Sequence, residues 1–252
     1  MSIQVTFPEP YIAVVTIANA ARRNAITPAD CLTLGRTWEQ LGGREDLRCV
    51  VLTGEGQAAF CAGASLDANF SVIPDLDAAV DKALLKTVFF PLPLVAAING
   101  HCVAGGFELM LASDVRVASS QARLGLPEVH WGIMPSGGGA MKLIEQIGYA
   151  PAMQMMLTAE LITADEALAL KLVNQVVEPG EVLEAALKIA RQIAGNSPVA
   201  VRQTKQAAIA PRAENWRAAE PEERQLVKVV RASDDAAVGR AAFLNKVVPV
   251  YR

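Results

Sequence analysis

Histidine is nearly missing from this chain, whose 252 residues contain only His101 and His130. That scarcity leaves little material for a histidine-based metal site or a histidine-dependent triad. The four cysteines, Cys31, Cys49, Cys61 and Cys102, have neither the close pairing of a zinc site nor the density of a disulfide scaffold. Reduced thiols packed in the interior are expected. Charged residues make up only 19% with a net charge of −3, which gives no footprint for nucleic acid or an anionic membrane surface, although local basic patches stay open. No apolar run approaches the roughly 18 residues of a spanning helix, and "MSIQVTFPEPYIAVV" shows no basic stretch followed by an apolar one. A cytoplasmic protein is expected, with its chemistry left to carboxylates and backbone.

What the chain has in quantity is hydrophobic residues, 52% of the total, enough for a large core and too many for a long disordered tail. Its length suits one core with an appendage. "YIAVVTIA", "RCVVLTG", "PLVAAING" and "DVRVASS" read as strands. Between the first two, Cys31, Leu34, Trp38 and Leu41 share one helical face, with Thr27 and Pro28 marking the helix start. This is an α/β pattern of parallel type. From about residue 140 helices dominate: "TADE" at 163–166 is a capping box, Leu183, Leu187, Ala190 and Ile193 form a stripe stopped by Gly195, and "VNQVVE" is the only later strand candidate. Beyond Pro198 come three successive helices, "AVRQTKQAAIA", "EERQLVKVVRA" and "DAAVGRAAFLNKV". The division expected is a core over 1–197 and a helical C-terminal region over 198–252.

Three stretches carry candidate chemistry: "AFCAGASLD" at 59–67, "NGHCVAGGFEL" at 99–109 and "LGLPEVHWGIMPSGGG" at 124–139. The first two end a strand in small residues and glycine, which lets backbone N–H groups approach a ligand and hold developing negative charge. Glu108 and Glu128 both sit in apolar company, where a carboxylate is costly unless paired, protonated or in use. Taken singly, Glu108 also reads as a cap or a bridge to another subunit, and Glu128 as an ordinary turn residue. "SGGG" lacks the Gly-Lys-Ser/Thr ending of a phosphate loop and reads as a helix start. Together, two such carboxylates beside oxyanion donors make an acid/base site for chemistry next to a carbonyl.

"VAAINGHCVAGGFELMLASDV" at 95–115 resembles the signature of the enoyl-CoA hydratase/isomerase (crotonase) superfamily, and "RRNAIT", "AFCAGA", "LTAELITADEALALKLVNQVV" and "AFLNK" extend the resemblance over nearly the whole chain. It implies a core of repeated β-β-α turns forming two roughly perpendicular sheets, a helical C-terminal region, trimers that pair into hexamers, and acyl-CoA thioester substrates. No cofactor is implied beyond the coenzyme A of the substrate. Carried over, the N–H groups of Ala64 and Gly105 form the oxyanion hole, Glu108 activates water and Glu128 delivers a proton to the α-carbon.

Related isomerases lack a carboxylate at the position of Glu108, and other relatives carry aspartate where this chain has Ser136. Hydration, or its reverse, is therefore the expected reaction. Double-bond isomerisation, dehydration of a specialised CoA ester, and a non-catalytic scaffold or RNA-binding role are the alternatives. Arg22, Arg23, Ala25, Ala62, Phe243 and Lys246 match coenzyme A contacts, although Phe243 also reads as helix packing and the basic residues as a solvated face. Ser65, where many relatives have aspartate, and Val238, where many have glutamate, are departures.

Overall fold

The structure, a computed structural model, describes residues 2–251. Its main sheet has six strands: β1 (Ile3–Glu9), β2 (Ile12–Ile17), β3 (Cys49–Gly54), β5 (Leu94–Ile98), β7 (Val115–Ser119) and β10 (Gln175–Val177). Only β1 runs antiparallel to its neighbour. A second sheet joins β4 (Ala59–Cys61), β6 (His101–Val103), β8 (Arg123–Gly125) and β9 (Ile162–Thr163). The β9 pairing was not expected from the sequence; two residues are too few to show a period, and its partner Leu124 is 38 positions away from Ile162. The four cysteines are free and buried.

Central strands buried on both faces read as continuous apolar runs. One face of the main sheet is covered by α1 (Pro28–Gly42), α2 (Leu76–Leu84), α3 (Gly105–Leu111) and the second sheet, in a core containing Leu34, Trp38, Leu52, Phe60, Leu94 and Phe107. The other packs on α7 (Val182–Ala194) through Val14, Val51, Val95 and Val117. α1 starts as expected, with Thr27 and Asp30 forming a reciprocal capping box and Pro28 in the first turn. α7 is rotated from its expected face: Val182 and Ala186 are buried with Leu187 and Ala190, while Leu183 is exposed.

α3 is held from both ends. The Asn99 side chain accepts from Gly54 N–H and donates to Gly56 and Ala59 carbonyls, tying β4 to the strand end before α3. At the far end Arg116, buried between β7 and α3, donates to the carbonyls of Met110, Leu111 and Ser113. Met110 and Leu111 hold the helix's last carbonyls, and the guanidinium shares them with donors from Ser113 and Gln146.

α4 (Gly139–Ile147), α5 (Tyr149–Thr158) and α6 (Ala164–Ala169) follow, the last opening with the expected Thr163–Glu166 capping box. Two of the three expected C-terminal helices are one: α8 runs unbroken from Pro198 to Arg231 through Pro211 and Pro221. Each proline removes one backbone hydrogen bond. Packing of Ala213, Glu223 and Val227, with ion pairs to α2 from Arg224 and Arg231, holds the helix across them. α9 (Asp234–Asn245) then packs on the turn at Glu128–Trp131. Among the described residues no helix is long and apolar enough to cross a membrane.

Candidate active site

The N–H groups of Ala64 and Gly105 come together where β4 and β6 end. Ile26 N–H donates to Gly63 carbonyl at 2.8 Å and Ser65 N–H to Ile26 carbonyl at 2.9 Å. That bridge straddles Ala64 and leaves its own N–H free to face the site. Gly105 begins α3, where a helix N–H has no intrahelical acceptor. A Cβ built on Gly105 would lie 3.8 Å from Ala64 N, so the two donors are neighbours. Among the described residues neither N–H has a hydrogen-bond acceptor. The preceding Ala104 has φ 53° and ψ −131°, a conformation costly for any residue with a side chain. It turns the chain sharply enough to aim Gly105 N–H outward. The next residue must be glycine, because a Cβ on Gly106 would sit 2.3 Å from Cys61 carbonyl.

Glu108 lies one turn along α3 and is 3% exposed. Its Oε1 accepts from Gly137 N–H at 2.6 Å and Gly139 N–H at 2.9 Å. Burial pushes its carboxyl up to about 7, opposed by these two donors. Glu128 opens the 3₁₀ turn and is 4% exposed, with Oε2 buried and without a partner among the described residues. Burial pushes it up to about 9, and the charge of Glu108 adds to the rise. The two glutamates are therefore close enough to titrate together. Glu108, with donors for its charge, holds the anion; Glu128, with none on Oε2, holds the proton.

The residues matched to coenzyme A contacts fall into two groups. Arg22, Arg23, Ala25 and Ala62 are together: Ala62 N–H donates to Arg23 carbonyl at 3.1 Å and Ala25 N–H to Arg22 carbonyl at 3.1 Å. Ser65 is buried and donates to Asp67, which pairs with Arg22, so these contacts tie the loop to Arg22 without an aspartate at 65. Phe243 and Lys246 lie on α9, with Phe243 edge-on to Trp131 at 5.1 Å and Lys246 as the helix's left-handed cap. No hydrogen bond or ion pair of the described residues joins them to the first group. Val238 is exposed and forms no part of the glutamate pair; the following Gly239 matters more, since a Cβ there would meet Trp131 carbonyl at 1.9 Å.

Several contributors were not singled out from the sequence. The glycines of "SGGG" start α4 as expected but also supply both donors to Glu108. Lys142, one turn into α4 and 1% exposed, donates to Leu85 carbonyl at 2.6 Å, and burial pushes its amine down to about 7. A lysine inside the apolar run "AMKLI" was the available signal. Lys86, Trp216 and Glu223 also converge near this loop.

The profile of a family described as enoyl-CoA hydratase/isomerase matches residues 9–252. A short-chain-enoyl-CoA hydratase of Clostridium acetobutylicum is 37% identical over 203 residues, covering 79% of this chain and 78% of its own. A 2,3-dehydroadipyl-CoA hydratase of Escherichia coli is 34% identical over 254 residues, covering 100% and 99%. A carnitinyl-CoA dehydratase structure from Mycobacterium avium superposes with a TM-score of 0.91 at 34% identity, covering 100% of this chain and 98% of that one.

Proposed function

Because the chain belongs to the enoyl-CoA hydratase/isomerase family, we propose that it is an enoyl-CoA hydratase, adding water reversibly across the C2=C3 bond of a 2-enoyl-CoA to give a 3-hydroxyacyl-CoA. The observation that carries this reading is the unequal pair of buried glutamates, Glu108 stabilised by two N–H groups and Glu128 by none on Oε2. Such inequality assigns base and acid. Glu108 takes a proton from water as its oxygen bonds to C3. The π electrons move toward the thioester, whose oxygen gathers negative charge between Ala64 N–H and Gly105 N–H. Glu128 then gives its proton to C2. Removing one donor from such a hole typically costs about 3 kcal/mol.

The coenzyme A end is assigned to the turn formed by Arg22, Arg23, Ala25 and Ala62, with Phe243 and Lys246 contributing from α9. The substrate is an acyl-CoA thioester and the reaction uses no metal or further cofactor. The chain is assigned to the cytoplasm as a homotrimer or a hexamer of two trimers, with residues 198–252 as its helical C-terminal region. Support for assembly is the apolar surface of its last helices and the segment after them, where Leu226, Val229, Leu244, Val247 and Val248 are all exposed. Incubation of the EDTA-treated protein with crotonyl-CoA and with longer and branched 2-enoyl-CoA esters tests the activity. Loss of the conjugated thioester absorbance is expected; a panel with no loss, or activity restored only by added metal, contradicts it.

A further inference from the structure

The glycine loop that holds Glu108 has charged groups on both sides. A Cβ on Gly137 would lie 2.7 Å from Glu108 Oε2, whereas one on Gly138 would lie 3.3 Å from Lys86 Cγ and 3.5 Å from Lys142 Cε. The chain turns over between the two because Gly138 adopts φ 94°, a conformation that favours glycine. One turn of backbone therefore separates the Glu108 carboxylate from the stems of two buried lysines. Over the lysines lies α8. Lys86 Nζ is 3.6 Å from Glu220 and 3.5 Å from Glu223. Glu220 has a closer partner in Arg224 at 2.7 Å, which leaves Lys86 chiefly to Glu223.

Glu223 is weakly compensated for a buried carboxylate. Its side chain is 8% exposed, and its contact with Lys86 is too long for a good hydrogen bond. Neither of its oxygens has a hydrogen-bond partner among the described residues. Burial raises its carboxyl and Lys86 lowers it. A buried ion pair is weak evidence of stabilisation, so this charge asks for another role. Glu108 supplies one. The two N–H groups on Oε1 stabilise the Glu108 anion and so weaken it as a base. A negative charge behind the loop opposes that effect, through an interior that screens charges less than water does.

Resting on the hydratase reading above, we propose that Glu223 is a positioning residue for the reaction: its charge, held behind the glycine loop by α8, keeps Glu108 a strong enough base to take a proton from water. The charged groups that face Glu108 are Glu128 from the 3₁₀ turn, Lys142 from α4, Lys86 from the segment after α2, and Glu223. Glu223 itself faces Lys86, Glu220 and Lys142. Lys142, its amine pushed down to about 7 by burial, changes charge in the same pH range as Glu108. The titration is therefore read on the carboxyl itself.

Difference infrared spectra of the free protein follow the protonated-carboxyl band that Glu108→Gln removes, and the pH profile of kcat/KM for crotonyl-CoA shows the same ionisation in turnover. Glu223→Gln keeps the shape of the side chain and removes its charge; Glu223→Asp keeps the charge and shortens the side chain. Glu223→Gln should move the Glu108 midpoint, and the acidic limb of the profile with it, at least about 0.5 pH unit lower. Glu223→Asp should leave both close to wild type. A side chain that only packs would be disturbed more by aspartate than by glutamine. An unmoved midpoint in Glu223→Gln overturns the proposal, and so does a midpoint in Glu223→Asp displaced as far as that expected for Glu223→Gln. Wild-type protein that hydrates no enoyl-CoA removes the hydratase reading, and the infrared midpoints then still decide whether Glu223 acts on Glu108.

Discussion

A carboxyl group in an apolar pocket has to be neutral, solvated by dipoles or coupled to chemistry, and Glu128 and Glu108 take different routes to the same end. Glu128 stays protonated because burial lifts it from an ordinary 4.5 to about 9. At low pH its carboxyl is neutral whether the chain is folded or not. Above about pH 4.5 the unfolded chain releases the proton while the folded one keeps it, so stability falls until about pH 9. Glu128→Gln removes that loss. Its melting temperature should exceed wild type by at least about 3 °C at pH 8 and match it more closely at pH 5, in calorimetry at both values. A variant less stable at pH 8 than at pH 5, relative to wild type, contradicts the assignment of the proton to Glu128. Both glutamates were legible in the sequence as acidic residues in apolar company; their inequality was not. It depends on N–H donors from Gly137 and Gly139, 29 and 31 positions beyond Glu108, and local pattern carries no record of which backbone will face a side chain.

Elements whose ends are decided within a few residues were the most legible. The Thr27–Asp30 and Thr163–Glu166 boxes close over three positions, and β3 and β5 announce themselves as unbroken apolar runs. α8 was misread because its prolines break a helix only when nothing else holds it, and its restraints are Asp77 and the α2 surface rather than its neighbours in sequence. The pairing of β4 with α3 belongs to the same long-range class. Gly106 and Cys61 carbonyl touch without room for a methyl group, so Gly106→Ala must push α3 away from β4 and carry Gly105 N–H off its aim. Overpacking of this kind costs about 1–3 kcal/mol, while a donor displaced by about 1 Å can lower turnover 10²-fold. Thermal unfolding and crotonyl-CoA kinetics of Gly106→Ala should therefore show a modest loss of stability and a far larger loss of rate. A rate within a few-fold of wild type contradicts the role given to Gly105.

At the scale of the molecule, the α/β core brings the Ala64 and Gly105 N–H groups and Glu108 together, and the C-terminal helices pack beside them. α9 packs on the turn that carries Glu128, and α8 covers the loop that holds Glu108. Truncation after residue 212 should abolish assembly and coenzyme A binding together, read by light scattering and titration with coenzyme A. A truncated chain that still forms trimers and binds normally refutes the part assigned to these helices. The central claim is that Glu108 and Glu128 work as a unit across the double bond. The most direct measurement is kcat for crotonyl-CoA hydration by Glu108→Gln, Glu128→Gln and the double variant, with pH profiles of the wild type. Wild-type activity should rise near pH 7 as Glu108 ionises and fall near pH 9 as Glu128 does. Each single variant should lose several orders of magnitude, and the double variant far less than the product of the two losses. Near-normal turnover of Glu108→Gln, or losses that multiply, would contradict the account.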